Sequence, residues 1–128
     1  SSPDDLNGWK RLARARKVLG QKSLEKIALK RVAELQPRNV EAQLEYLSAV
    51  VELASPDNPN ASELKPVSAR ILERDDRNPR ALWYSGVLAK AEGRKAAAVE
   101  YWSNLLAITD PNSPQYVELR NEIKALEQ

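Results

Sequence analysis

The side chains best placed to do chemistry in this sequence are bases rather than nucleophiles. Lys10, Arg14 and Lys17 recur at i, i+4 and i+7, the spacing that lines one face of a helix. Such a stripe attracts carboxylates, including the terminal carboxylate of a peptide, through charge-assisted hydrogen bonds. A nucleic-acid footprint is the competing reading. It is disfavoured because no aromatics interleave with the stripe and the whole chain is only +2. The second charged cluster, Glu73-Arg74-Asp75-Asp76, is offset by Arg74 and Arg77 and falls at the end of a predicted helix, so it reads as a solvated terminus. The chain has no His and no Cys. It therefore lacks the commonest general base, any thiolate nucleophile and the commonest metal ligands. No Gly-rich phosphate loop and no Ser-x-Gly elbow occurs either. No catalytic residue, metal site or cofactor is expected, which leaves binding and scaffolding as the function classes.

The 128 residues suffice for one domain and not for a second core. Hydrophobic residues make up 42%, a globular balance, and no run approaches the length needed to span a membrane. Charge is distributed unevenly. Residues 1–38 hold ten bases and four acids, a net +6, and the remainder is −4. This basic pole points to an acidic or carboxylate-bearing partner or to a solvated face. The chain carries no Met, even at position 1, as expected of an excised or processed product, and that leaves room for a signal or anchor upstream of Ser1. The absence of Cys fits any compartment.

Ala, Leu, Glu, Lys and Arg dominate and strand signals are missing, so the chain should be all-α. Seven helices are predicted. The first runs from about Asp5 to Leu19, capped by Asp4 or Asp5, with Gly20 just past its end. The second runs from a Ser23 cap to about Gln36, with Leu24, Ile27, Ala28, Val32 and Leu35 as its apolar set. The third follows Asn39 and ends near Ala54, before the Pro/Asn-rich loop at 55–60. The fourth covers about Ser62 to Asp75, with Pro66 tolerated near its first turn. The fifth starts at Asn78-Pro79 and ends near Glu92, before Gly93. The sixth covers about Lys95–Thr109. The seventh starts at Ser113-Pro114 and carries Tyr116, Leu119, Ile123 and Leu126 on one face.

An internal repeat organises these helices. In a 34-residue unit starting at Leu6, residues Trp9, Ala13, Gly20, Leu29, Val32 and Pro37 occupy positions 4, 8, 15, 24, 27 and 32. A unit starting at Pro79 places Gly86, Gly93, Ala98, Trp102 and Leu105 at positions 8, 15, 20, 24 and 27. Residues 40–78 form a 39-residue copy whose extra length falls in the 55–60 loop, where insertion costs least. This is the tetratricopeptide pattern. Small residues let the paired helices approach, glycine turns the chain and an aromatic fills the gap between units. The expected architecture is a right-handed superhelical array of three helix pairs, at about 6–39, 40–78 and 79–112, with a capping helix at about 113–127. Trp9 and Trp102 are expected in the core, and Tyr101 and Tyr116 in packing roles.

Several segments sharpen the likeness. Asn78-Pro79-Arg80-Ala81-Leu82-Trp83-Tyr84-Ser85-Gly86 is followed by Ala96-Ala97-Ala98-Val99-Glu100-Tyr101-Trp102. A terminal helix then opens at Asp110-Pro111-Asn112-Ser113-Pro114, and Gly8-Trp9 lies near the start. With these, the chain resembles the C-terminal periplasmic domain of the CcmI/CycH cytochrome c biogenesis factors, and the NrfG-type haem-lyase subunits are similar. The resemblance implies a periplasmic setting and a membrane-anchored portion outside this chain. It also implies capture of apocytochrome c, through its C-terminal segment, for delivery to the haem-ligation machinery. A generic scaffold joining subunits of another complex is the alternative.

In tetratricopeptide arrays, positions 2, 5, 9 and 12 of each first helix line the groove. Here these are Asn7, Lys10, Arg14 and Lys17; Glu41, Leu44, Ser48 and Val51; and Arg80, Trp83, Val87 and Lys90. The expected groove has a basic end, an apolar middle and a Trp wall, which suits a peptide with apolar anchors. Leu44, Trp83 and Val87 would anchor it, with a partly buried packing role as the alternative for Trp83, and Lys10, Arg14 and Arg80 would supply charge. The two-Lys, two-Asn, one-Arg carboxylate clamp of some relatives is not intact. Lys10 and Arg80 match basic positions, but Arg14 and Glu45 replace the Asn residues and Tyr84 replaces the Arg.

Overall fold

The computed structural model describes residues 5–128. Its elements are α1 (Leu6–Val18), α2 (Lys22–Leu35), α3 (Val40–Leu53), α4 (Ala61–Arg74), α5 (Pro79–Ala91), α6 (Lys95–Ala107) and α7 (Pro114–Glu127). Among the described residues there is no strand, only an isolated bridge between Ser55 and Asn58 in the 55–60 loop. The chain is thus an all-α array of short helices on the tetratricopeptide plan. It divides within α4 into two compact halves, one ending at Arg70 and the other comprising Ile71–Gln128.

The helix starts are set by local chemistry. Asp5 Oδ1 accepts from the Gly8 amide at 2.9 Å, and Asn39 and Asn78 accept likewise from Ala42 and Ala81 at 3.2 and 3.1 Å. Ser113 Oγ accepts from the Tyr116 amide at 3.3 Å. Each cap satisfies one of the orphaned amides of a first turn. Asp4, the alternative first cap, lies outside the described residues. Ser23 does not cap α2. The helix begins one residue earlier, behind Gln21, and no side chain caps it. Helix α6 stops at Ala107 rather than Thr109, whose hydroxyl donates instead to the Leu105 carbonyl at 2.7 Å. Pro66 is the sixth residue of α4, past the first turn, so it does remove one intrahelical bond.

The two glycine turns are built alike. Gly20 (φ +70°) and Gly93 (φ +76°) each follow a helix in the left-handed conformation. The Gly20 amide donates to Lys17 O and the Gln21 amide to Arg16 O. The Gly93 amide donates to Lys90 O and the Arg94 amide to Ala89 O. Both are Schellman closures, and both aim the next helix back along its predecessor.

In the N-terminal half α2 packs between α1 and α3, and buries Ala28, Leu29, Val32 and Ala33. Tyr46 of α3 donates from its hydroxyl to Glu63 Oε1 of α4 at 2.7 Å, while Lys26 of α2 donates to Glu63 Oε2 at 2.6 Å. One carboxylate therefore ties three helices together. Buried Gln43 of α3 donates to the Ala33 and Gln36 carbonyls, both at 2.9 Å, which closes the C-terminal end of α2. Leu24 and Ile27, members of the predicted apolar set of α2, stay 43% and 55% exposed. Their helical spacing is as expected, but about half of each side chain stays open to solvent. Trp9 reaches only partial burial.

In the C-terminal half α6 packs against both α5 and α7 around Leu82, Trp102, Leu105, Leu119 and Ile123. Trp102 is 2% exposed, as expected of a core residue. Tyr101 is partly buried against this cluster, and Tyr116 is also partly buried. A Cβ added at Gly86 would overlap the Trp102 indole. The first repeat has Ala13 and Leu29 at the corresponding positions, so the larger indole goes with the missing methyl.

Candidate functional site

Each half carries its own concavity. In the N-terminal half, α1, α2 and α3 enclose an open trough of about 780 Å³, within the range of ligand pockets. Lys10, Arg14 and Lys17 form its α1 wall, and their heptad-like spacing puts all three on the face turned to α3. The α3 wall consists of Glu41, Glu45, Ser48 and Glu52. Ala13, Leu29, Val32, Ala42 and Ala49 contribute the apolar floor. Lys22 pairs with Glu52 at 2.6 Å, and this contact raises the Lys22 pKa above its ordinary value. Lys10, Arg14, Lys17, Glu41 and Glu45 make no ion pair among the described residues.

In the C-terminal half a cleft of about 450 Å³ opens between α5, the end of α6 and α7. Arg80, Trp83 and Tyr84 come from α5, and Glu118 and Glu122 from α7. Leu105 and Leu119 contribute apolar surface between them. Trp83 stacks on buried Trp102, ring centroids 5.2 Å apart and planes 16° from parallel. The Trp102 indole N–H donates to the Trp83 carbonyl at 3.1 Å. Trp83 keeps 37% of its surface exposed, so it is a fixed aromatic wall with a free face.

The expected groove residues separate accordingly. Lys10, Arg14, Lys17, Glu41 and Ser48 meet in the trough, and Arg80, Trp83 and Tyr84 meet in the cleft. Leu44 and Val51 are half-buried and do not line the trough. At about 100° per residue they sit roughly 70–90° around α3 from the carboxylate stripe. Asn7 is exposed outside the trough. Val87 is half-buried against the Leu82–Trp102 cluster, and Lys90 is ion-paired with Glu122 of α7 at 3.5 Å. Sequence reasoning gave no role to Glu52, Glu118 or Glu122. The i, i+4, i+7, i+11 recurrence of Glu41, Glu45, Ser48 and Glu52 is the signal that could have found the α3 wall. No group of three or more His, Cys, Asp or Glu among the described residues could hold a metal ion. No helix among them is long and apolar enough to cross a membrane.

The family model of the cytochrome c-type biogenesis protein H TPR domain matches residues 1–116. The chain belongs to this family. It is 28% identical over 123 residues to the cytochrome c-type biogenesis protein CcmH of Escherichia coli (strain K12), and equally to that of Shigella flexneri. Each match covers 95% of this chain and 34% of the relative, so this member of the family spans about a third of the length of those curated relatives.

Proposed function

We propose that this domain is a peptide-binding adaptor in c-type cytochrome maturation. It holds an unfolded segment of apocytochrome c, its C-terminal segment, for haem ligation, and performs no chemistry itself. The observation that carries the reading is Trp83. A large aromatic is held rigid by its stack on Trp102 while its outer face fronts a cleft with Arg80 and Tyr84. That arrangement suits an apolar peptide anchor beside a carboxylate. Family membership supplies the maturation context. The name of the Escherichia coli relative supports a role in cytochrome c-type biogenesis and nothing finer. A place beside the haem-ligation machinery, in the periplasm, tethered through a portion outside this chain, is part of the same proposal.

Calorimetric titration with an apocytochrome c and with its C-terminal peptide, at low and moderate salt, tests this reading. Saturable binding of both is the expected result. Binding of the whole apoprotein alone would move the recognised segment elsewhere in the client. Binding of neither would leave a scaffold for another complex.

A further inference from the structure

Both concavities share one electrical layout. In the trough, α1 presents the cations Lys10, Arg14 and Lys17, and α3 presents the carboxylates Glu41 and Glu45. In the cleft, α5 presents Arg80, and α7 presents Glu118 and Glu122. Each time a basic helix lies on one side and an acidic helix on the other. The bases and acids facing each other across the trough do not close on one another, and Arg80 makes no ion pair with Glu118 or Glu122 among the described residues. The trough's Lys22–Glu52 pair is the exception, and in the cleft Glu122 is engaged instead by Lys90.

Opposed walls of this kind discriminate by pattern rather than by net charge. A uniformly acidic ligand gains at the basic wall and is repelled at the acidic one, and a uniformly basic ligand meets the reverse. A segment gains at both walls only if its acids run along one edge and its bases along the other. We propose that the clefts of this domain select peptide segments with segregated charge, acidic toward α1 or α5 and basic toward α3 or α7. This rests on the peptide-binding reading and specifies the class of segment recognised. It also gives the +6 N-terminal stretch a role other than that of a polyanion site. The bases on α1 face carboxylates on α3, not open solvent alone.

Titration of an apocytochrome c against the wild-type domain, Arg14→Glu and Glu45→Lys tests the proposal by the sign of two effects. Both side chains are exposed, so the fold should survive, and circular dichroism checks that it does. The expected result is that each reversal weakens binding by about fivefold, the scale of an exposed ion pair lost. Tighter binding by Glu45→Lys would identify a simply acidic ligand and overturn the proposal while leaving peptide capture intact. Tighter binding by Arg14→Glu would do the same for a basic one. Unchanged binding in both variants would remove the trough from recognition and overturn it too. Failure of the wild-type domain to bind would instead refute the client on which the proposal rests.

Discussion

Trp83 shows how one residue can serve the fold and the site together. Its stack on Trp102 is worth about 1 kcal/mol, and its free face lines the cleft. Trp83→Ala should therefore lower the melting temperature by a few degrees, leave the helical spectrum intact and weaken client binding at least tenfold. Unfolding of the variant would mean that the side chain is core and not a wall. Gly86 makes the opposite case, since any added Cβ overlaps the Trp102 indole. Gly86→Ala should cost about 1–3 kcal/mol in chemical denaturation, the scale of overpacking. Glu63 is legible only in three dimensions. Its burial favours the protonated form, but hydrogen bonds from Lys26 and Tyr46 outweigh this and hold its pKa below the ordinary value. The stabilisation is therefore complete above the ordinary carboxylate pKa and is lost as pH falls through the depressed one. Tyr46 is shifted upward, by its burial first and then by Glu63, so its share is lost as pH rises past about 10. Melting curves across pH should show a flatter acid limb for Glu63→Gln and a flatter alkaline limb for Tyr46→Phe.

At the scale of elements, turns and caps decide where each helix begins and ends. The equivalent Schellman turns at Gly20 and Gly93 are the repeat expressed in hydrogen bonds. Their left-handed φ costs an L residue about 1–2 kcal/mol, so Gly93→Ala should reduce unfolding free energy by that amount in urea. Asn78 caps α5 and also donates to Asp75 Oδ2 at 3.1 Å. Its replacement by Ala should cost about 1 kcal/mol or somewhat more. These features were readable in advance because Gly, Asn-Pro and Ser-Pro act within a few residues of themselves. The start of α2 was not, since Ser23 looks like a cap and only the turn before it shows that the helix is already under way. Leu24 and Ile27 have helical periodicity but not burial, because periodicity reports a face and not whether anything covers it.

For the molecule as a whole, net charge is a poor guide to recognition. The +6 of residues 1–38 invites a polyanion, yet part of it faces the carboxylates of α3. Client binding should fall only mildly between low and moderate salt, and duplex DNA should bind weakly, with the steep salt dependence of counterion release. Parallel titrations of an apocytochrome c and a DNA duplex against salt would show this. A client curve as steep as that of DNA would point to an electrostatic rather than an anchored complex.

Sequence by itself determined the all-α class, the glycine turns, most of the caps and the repeat in which Gly86 and Trp102 occupy matching slots. Each depends on local backbone preference or on a period written along the chain. It also proposed the cations of the groove, because a stripe at i, i+4 and i+7 is visible in one helix. Tertiary structure alone decided what those cations face. The carboxylates of α3 lie some thirty residues on from the stripe in α1, and the joining of Lys26, Tyr46 and Glu63 likewise spans three helices. Contacts between helices depend on how their faces are rotated at packing, and no residue's own neighbours in the chain specify that rotation.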